Sequence, residues 1–223
     1  MQRILLGATI ISCLGSTFAE AQPTRPFGGA VAGIATLSAD ARSEITPGGA
    51  DVALYKPENG PALNVLFGMH LREYVSVQAN YIWNRNALAL AAVRATDLGP
   101  SFYEQPRTAS QHALVGDLLV YFRERRSVVR PYLSVGVGAV RLETKADGPA
   151  RSRNAVLPTE TTRATRATLR VAVGMDVALG RGWSLRYSFS EGVSSNPISA
   201  QLSPPGQRIL ANFQNLFGVV RTL

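Results

Sequence analysis

Cysteine, lysine and histidine are almost missing from this chain of 223 residues, which holds one Cys, two Lys and two His. A single Cys can neither close an internal disulfide nor supply a thiolate zinc site. No cluster of His, Cys and carboxylates has metal-ligand spacing, and no Gly-rich segment has the pattern of a phosphate-binding loop, so neither a metal nor a cofactor is expected. Long apolar runs are missing too. Beyond Gln22 the best candidates, 86–93 and 131–140, fall far short of the roughly 18 apolar residues that a membrane helix needs. Disorder is excluded as well, because 46% of the residues are apolar and only 17% charged. The length suits one domain with a core of its own.

Since Lys56 and Lys145 are the only lysines, the net charge of +8 is an arginine charge. Taken alone it would suggest nucleic acid, but the N-terminus argues for export. Met1-Gln2-Arg3 is a short positive segment, Ile4 to Leu14 is mostly apolar, and Ala19-Glu20-Ala21 is an A-x-A site before Gln22. The expected organisation is therefore a signal peptide over 1–21, cleaved after Ala21, and one domain over 22–223. A rival reading takes Ile10-Ile11-Ser12-Cys13 as an acylation site, although little chain precedes Cys13 and a good cleavage site follows it. Cleavage after Ala21 would leave a mature chain without Cys, as suits an oxidising compartment. Arg3 and Glu20 would leave together, so the charge would stay +8. Nucleic acid is a poor partner for a secreted chain without aromatics interleaved among its arginines.

What the sequence has in quantity is alternation with a period of two. From Tyr74 to Asn84, Val75, Val77, Ala79, Tyr81 and Trp83 fall on one face, with Ser76, Gln78, Asn80 and Asn84 on the other and Ile82 as the one intruder. Leu169 to Leu179 and Trp183 to Phe189 repeat the pattern. Eight such runs occur, at about 27–38, 61–71, 74–84, 110–122, 129–142, 166–179, 182–191 and 208–221. The first is the weakest, because Gly28-Gly29-Ala30-Val31-Ala32-Gly33 offers little contrast between faces. Three connections are short (72–73, 123–128 and 180–181), and the other four (39–60, 85–109, 143–165 and 192–207) are long and polar. Long and short connections alternate along the chain, which is the layout of an up-and-down meander with every tight turn at one end. The expected fold is all-β, an eight-stranded antiparallel up-and-down transmembrane β-barrel.

Alternation cannot by itself tell inside from outside. A membrane barrel would turn the apolar face to lipid, whereas a soluble lipocalin-like barrel carrying a small apolar ligand would turn it inward. The apolar faces here are nearly free of charge. Tyr74, Tyr81, Trp83, Phe122, Tyr132, Trp183 and Phe189 lie near run ends, as an interfacial girdle would. In the membrane reading the lumen receives Ser76, Gln78, Asn80, Asp117, Arg170, Asp176, Ser184, Arg186, Ser188 and Ser190. Asp117, Arg170, Asp176 and Arg186 are then expected to form a polar network that closes the barrel or lines a narrow path. Gly136 and Gly138 read as small inward residues that make room for larger neighbours.

The order of these elements, and above all Arg130-Pro131-Tyr132-Leu133-Ser134-Val135-Gly136-Val137-Gly138-Ala139 after a tight turn, resembles the outer-membrane β-barrel domain of small bacterial porin-like proteins related to the OmpA and OmpX barrels. The resemblance covers about 27–223. It implies residence in the outer membrane of a Gram-negative bacterium and contact with outer-membrane lipid and lipopolysaccharide. Insertion by the outer-membrane assembly machinery is implied as well, with a structural, adhesive or narrow-pore role. One departure is that such barrels usually end in an aromatic residue, a signal for assembly, whereas this chain ends Phe217-Gly218-Val219-Val220-Arg221-Thr222-Leu223.

Catalytic residues are not expected. Ser110-Gln111-His112 bears a distant likeness to the Ser/His pairs of lipid A deacylases in similar barrels, but neither spacing nor order matches. Arg123, Arg125, Arg126 and Arg130 cluster at a tight turn, where contact with anionic headgroups is expected. Arg151, Arg153, Arg163 and Arg166 fall in a long loop, facing lipopolysaccharide phosphates. Asp40, Glu44, Asp51 and Glu58 make the first long loop acidic against Arg42 and Lys56, and such mixed signs argue against one steering field.

Overall fold

A computed structural model describes residues 24–38, 40–46, 49–94, 99–155, 160–199 and 208–223. The expected signal peptide over 1–21, with Ala19, Ala21 and Cys13, lies outside the described residues. Eleven strands follow one another: β1 (Arg25–Leu37), β2 (Asp40–Thr46), β3 (Gly49–Pro57), β4 (Gly60–His70), β5 (Val75–Arg94), β6 (Ser101–Tyr121), β7 (Val129–Ala146), β8 (Arg151–Arg153), β9 (Thr161–Gly180), β10 (Trp183–Ser195) and β11 (Ile209–Thr222). Eight of them, β1, β4, β5, β6, β7, β9, β10 and β11, pair with their neighbours antiparallel, and the pairing of β1 with β11 closes the ring. Closure is what a sheet in hydrocarbon requires, since it leaves no backbone N–H or C=O unpaired at an edge.

Polarity is inverted relative to a water-soluble protein. Val65, Phe67, Leu114, Leu118, Val135, Val137, Leu169, Val171, Val173 and Phe217 are exposed on the outer wall, while Ser76, Gln78, Asn80, Asp117, Arg170, Asp176, Arg186, Ser188 and Ser190 are buried inside. This excludes the lipocalin-like alternative, which needs the apolar face within. From Leu114 on β6 to Phe122 just past its end, the outward residues make an apolar band about nine residues long, the reach of a tilted transmembrane strand.

The tight connections at 71–74, 122–128 and 181–182 lie at the end where β1 begins and β11 stops. The shortest is held by Gly180 and Gly182 at φ 96° and 79° around Arg181, backbone geometry that residues with a Cβ adopt at a cost. In an outer-membrane barrel this is the periplasmic end.

Three expectations need correcting. The gaps read as long loops are largely strand: β5 continues to Arg94, β6 starts at Ser101, and β2 and β3 form a hairpin whose second strand pairs with β5 from Pro57 to Asp51. Over 87–93 both faces are apolar, Ala87, Ala89 and Ala91 on one and Leu88, Leu90 and Ala92 on the other, so the period-two contrast that marks a strand disappears there. The result is a tower that stands beyond the membrane band. Second, Tyr132 does not join the aromatic girdle. It is buried inside the barrel, where Gly174 on β9 makes room for it, since a Cβ at Gly174 would lie 2.5 Å from the Tyr132 hydroxyl. Third, the inner face is not uniformly polar. Phe27, Val31 and Ala35 of β1 point inward and pack with Ala62, Leu66, Leu216 and Val220, so the wall of β1, β4 and β11 is an apolar side of the lumen.

Candidate functional site

The concentration of buried charge is in the lumen, and the ladder registers place it. Asp176 on β9 sits directly opposite Arg186 on β10 and, across its other edge, opposite Arg130 on β7. Asp117 on β6 and Arg170 on β9 are both opposite Gly136 of β7, one on each side. A Cβ at Gly136 would collide with the Asp117 carboxylate, so the glycine lets a carboxylate and a guanidinium from strands two apart meet above it.

The four residues singled out from the sequence are brought together as two ion pairs. Arg186 is forked onto Asp176, Nε to Oδ1 at 2.6 Å and Nη2 to Oδ2 at 2.7 Å, the geometry that planar guanidinium and carboxylate groups favour. Arg170 pairs with Asp117 through Nη1 and Oδ2. Amides join the pairs: Arg186 Nη1 donates to Gln78 Oε1 at 2.6 Å, Gln78 Nε2 to Asn80 Oδ1 at 2.6 Å, and Asn80 Nδ2 to Asp117 Oδ2 at 3.1 Å. Tyr121 donates to Asp176 Oδ2 at 2.9 Å and accepts from Arg186 Nη2 at 3.0 Å. The Arg186 guanidinium also lies 5.1 Å from the centre of the Tyr132 ring.

Sequence reasoning placed Gln78 and Asn80 inside but missed Tyr121 and Arg130 as members. Each had a signal, for Tyr121 shares a face with Asp117 four residues before it, and Arg130 shares one with Tyr132 and Ser134. Arg130 was expected among lipid headgroups. It is instead buried at the lumen mouth, stacked 3.9 Å over the Tyr121 ring. Arg125 is half-buried beside it, while Arg123 and Arg126 are exposed.

Above the ion pairs the lumen stays narrow. A cavity of ≈30 Å³ lies between Arg170 and Asn212, room for about two waters. Asn212 then bonds Asn84 and Gln111 at 3.0 and 2.7 Å, and Asn86 donates to the carbonyls of Ala35 and Glu58. Over this amide layer Leu37, Tyr55, Leu90, Leu142, Ile198 and Leu210 close the tower with a packed apolar cap. Among the described residues no group of His, Cys and carboxylates could hold a metal ion.

Outside the lumen, ion pairs form at the tower. Asp51 pairs with Arg94 at 2.9 Å, and Glu143 with Lys145 at 2.9 Å and Arg163 at 3.0 Å. Those two cations hold the half-buried Glu143 carboxyl below the usual carboxylate range. Arg151, Arg153, Arg163 and Arg166 are exposed. On the outer wall His112 accepts or donates to Tyr81 at 2.8 Å through Nδ1 and approaches Ser110 Oγ at 3.4 Å through Nε2.

Solved structures of similar shape are small outer-membrane barrels. OprG of Pseudomonas aeruginosa is 11% identical, with 91% of this chain and 97% of that one covered and a TM-score of 0.50. A neisserial surface protein, NspA, is 13% identical with 91% and 100% covered at 0.48. Ail, the attachment invasion locus protein of Yersinia pestis, is 8% identical with 89% and 99% covered at 0.47. No curated protein sequence matches the chain. The family model of the outer membrane protein beta-barrel domain, by contrast, matches residues 6–202, and with the closed ring and its apolar outer wall this makes the chain a member of that family, an integral β-barrel of the cell outer membrane.

Proposed function

We propose that this protein is a plugged outer-membrane barrel that acts through its tower, as a structural and surface-contact protein rather than as an open pore or a catalyst. The observation that carries this reading is the continuous side-chain network Asp117–Asn80–Gln78–Arg186–Asp176–Tyr121, which crosses the lumen and is covered by an amide layer and an apolar cap. An ion crossing it would have to break buried, hydrogen-bonded charge pairs, each break leaving a charge uncompensated. Planar-bilayer recording checks this. The purified barrel is expected to insert without discrete conductance steps, and steady ohmic channels would overturn the plug.

The partners fit the same reading. Arg151, Arg153, Arg163 and Arg166 are exposed at the level where lipopolysaccharide phosphates lie, and outward apolar side chains meet lipid. Insertion by the outer-membrane assembly machinery accompanies the fold, and nucleic acid has no part in it. The Ser110–His112–Tyr81 set falls short of a catalytic arrangement. Its third member is a phenol rather than a carboxylate, and the backbone around it is committed to the β5–β6 and β6–β7 ladders, so among the described residues no N–H pair is left there to hold an oxyanion.

A further inference from the structure

At the periplasmic end the lumen opens into a second, larger cavity of ≈290 Å³. Four arginines line it, Arg25, Arg125, Arg130 and Arg186, against a single acid, Asp176, whose oxygens are taken by Arg186 and Tyr121. Glu73, the next carboxylate along the rim, accepts from the backbone N–H of Arg125. The four arginines outnumber the carboxylates Asp176 and Glu73, so positive charge is in excess at this mouth, and the terminal carboxylate of Leu223 offsets only part of it.

The side chains concerned are not splayed into solvent. Arg130 is 7% exposed, and among the described residues its one hydrogen bond is to the carbonyl of Glu73 at 3.2 Å. Arg125 donates to the carbonyl of Arg72 at 3.0 Å. In both the Nε–H is buried without a protein acceptor. Stacking on Tyr121 offsets part of the cost of burying Arg130 but gives no hydrogen bond. A buried guanidinium with an idle donor is an expensive arrangement unless an anion completes it.

We propose that this vestibule is a binding site for an oxyanion of the phosphate type, held by Arg125 and Arg130 with Arg25 at the rim. The positive excess suits an anion, the donors come from three separate segments (β1, the 122–128 turn and β7), and the volume admits a phosphate with part of its hydration. The mouth lies at the level of the girdle residues Tyr74, Phe122 and Trp183, so the phosphate can come either from the periplasm or from a phospholipid headgroup of the inner leaflet. This site is independent of the tower and of what the tower contacts.

Trp183 lines the cavity and reports on it, once Trp83→Phe has removed the other tryptophan. The full chain, folded in an uncharged maltoside detergent, is titrated with inorganic phosphate, with chloride at equal ionic strength as the reference. A saturable change in Trp183 emission is expected with phosphate and not with chloride. Arg125→Gln and Arg130→Gln should each weaken it roughly tenfold, the loss expected for one charge-assisted hydrogen bond. Arg125 lies in a turn, so its variant keeps the fold, which heat-dependent gel mobility verifies. Phosphatidylglycerol doped into the micelles then separates the sources: lowered apparent phosphate affinity points to the headgroup and unchanged affinity to the free ion, and both support the site. No saturable response to phosphate or to the lipid, or a response indifferent to Arg125→Gln in the folded protein, would overturn it.

Discussion

At the scale of single residues the energetics are set by pairing in a low-dielectric lumen. Arg186→Met leaves Asp176 buried against Tyr121 without its forked partner, and should cost about 3–5 kcal/mol in urea unfolding from lipid vesicles followed by tryptophan fluorescence. The double variant Arg186→Met with Asp176→Leu removes both charges and should recover most of that loss. If the double change were as costly as the sum of the single ones, the ion pair would not be the unit of stability. Much of this site was legible beforehand, because a period of two puts Asp117, Arg170, Asp176 and Arg186 on one side of the wall whatever the register. Which charge meets which was not. Arg170 reaches Asp117 across a whole intervening strand, and that depends on Gly136 standing in the same row of the ladder, a coincidence of two registers across three strands that no single strand encodes. Arg130 was misplaced for a related reason, since a charge next to a tight turn is read as solvated unless the aromatic ring it stacks on, Tyr121, is known to face the same way.

At the scale of elements, the alternating runs located all eight ring strands, and what escaped was their length. A run ends in the sequence when its two faces stop differing, but the ladder ends only when the backbone loses its partner. The β5–β6 ladder continues through Leu88, Leu90 and Ala92 because their inward side packs on Tyr55, Tyr103, Leu142 and Ile198. The tower is thus held by a small apolar core of its own, outside the membrane. Leu90→Ala should cost the tower about 2–5 kcal/mol, the range for truncating a buried leucine, while sparing the transmembrane wall. Limited proteolysis of the barrel in vesicles is expected to cut the tower of this variant sooner, with the membrane-protected fragment unchanged. Glu143, bracketed by Lys145 and Arg163 on the tower's flank, gives a pH test. Its carboxyl is held below the ordinary range, so the stabilisation it lends is present above that range and lost as pH falls through the lowered value. Carboxyl titration by NMR should show the low value in the parent chain and a return toward normal in Arg163→Gln. Because both cations are exposed to solvent, the effect should fade in high salt.

For the whole molecule, the decisive property is that the barrel is turned inside out, and this is where the sequence was ambiguous for a physical reason. A period of two is symmetric under exchange of the faces, so only the closed ring, with its charges inside and Val65, Phe67, Leu114, Val135 and Val137 outside, says which solvent each face meets. The weak first strand belongs to the same problem. β1 carries little contrast because Phe27, Val31 and Ala35 point inward onto an apolar patch of β4 and β11 while alanines face out, and its place follows from ring closure against β11 rather than from its own pattern. The inversion makes a prediction that a soluble barrel could not share. Val135 sits half-exposed midway along the outward residues of β7, opposite Leu118 and Val171. On a protein in water an exposed valine changed to arginine would alter stability by about 0.5 kcal/mol or less. On a wall facing hydrocarbon near the bilayer midplane it should cost about 2–4 kcal/mol. Val135→Arg is therefore expected to lower the urea midpoint of the vesicle-inserted barrel clearly, whereas Arg153→Val at the exposed tower strand β8 leaves it almost unmoved. Equal small effects from the two substitutions would mean that β7 does not face lipid, and the membrane-spanning reading of the ring would fall with it.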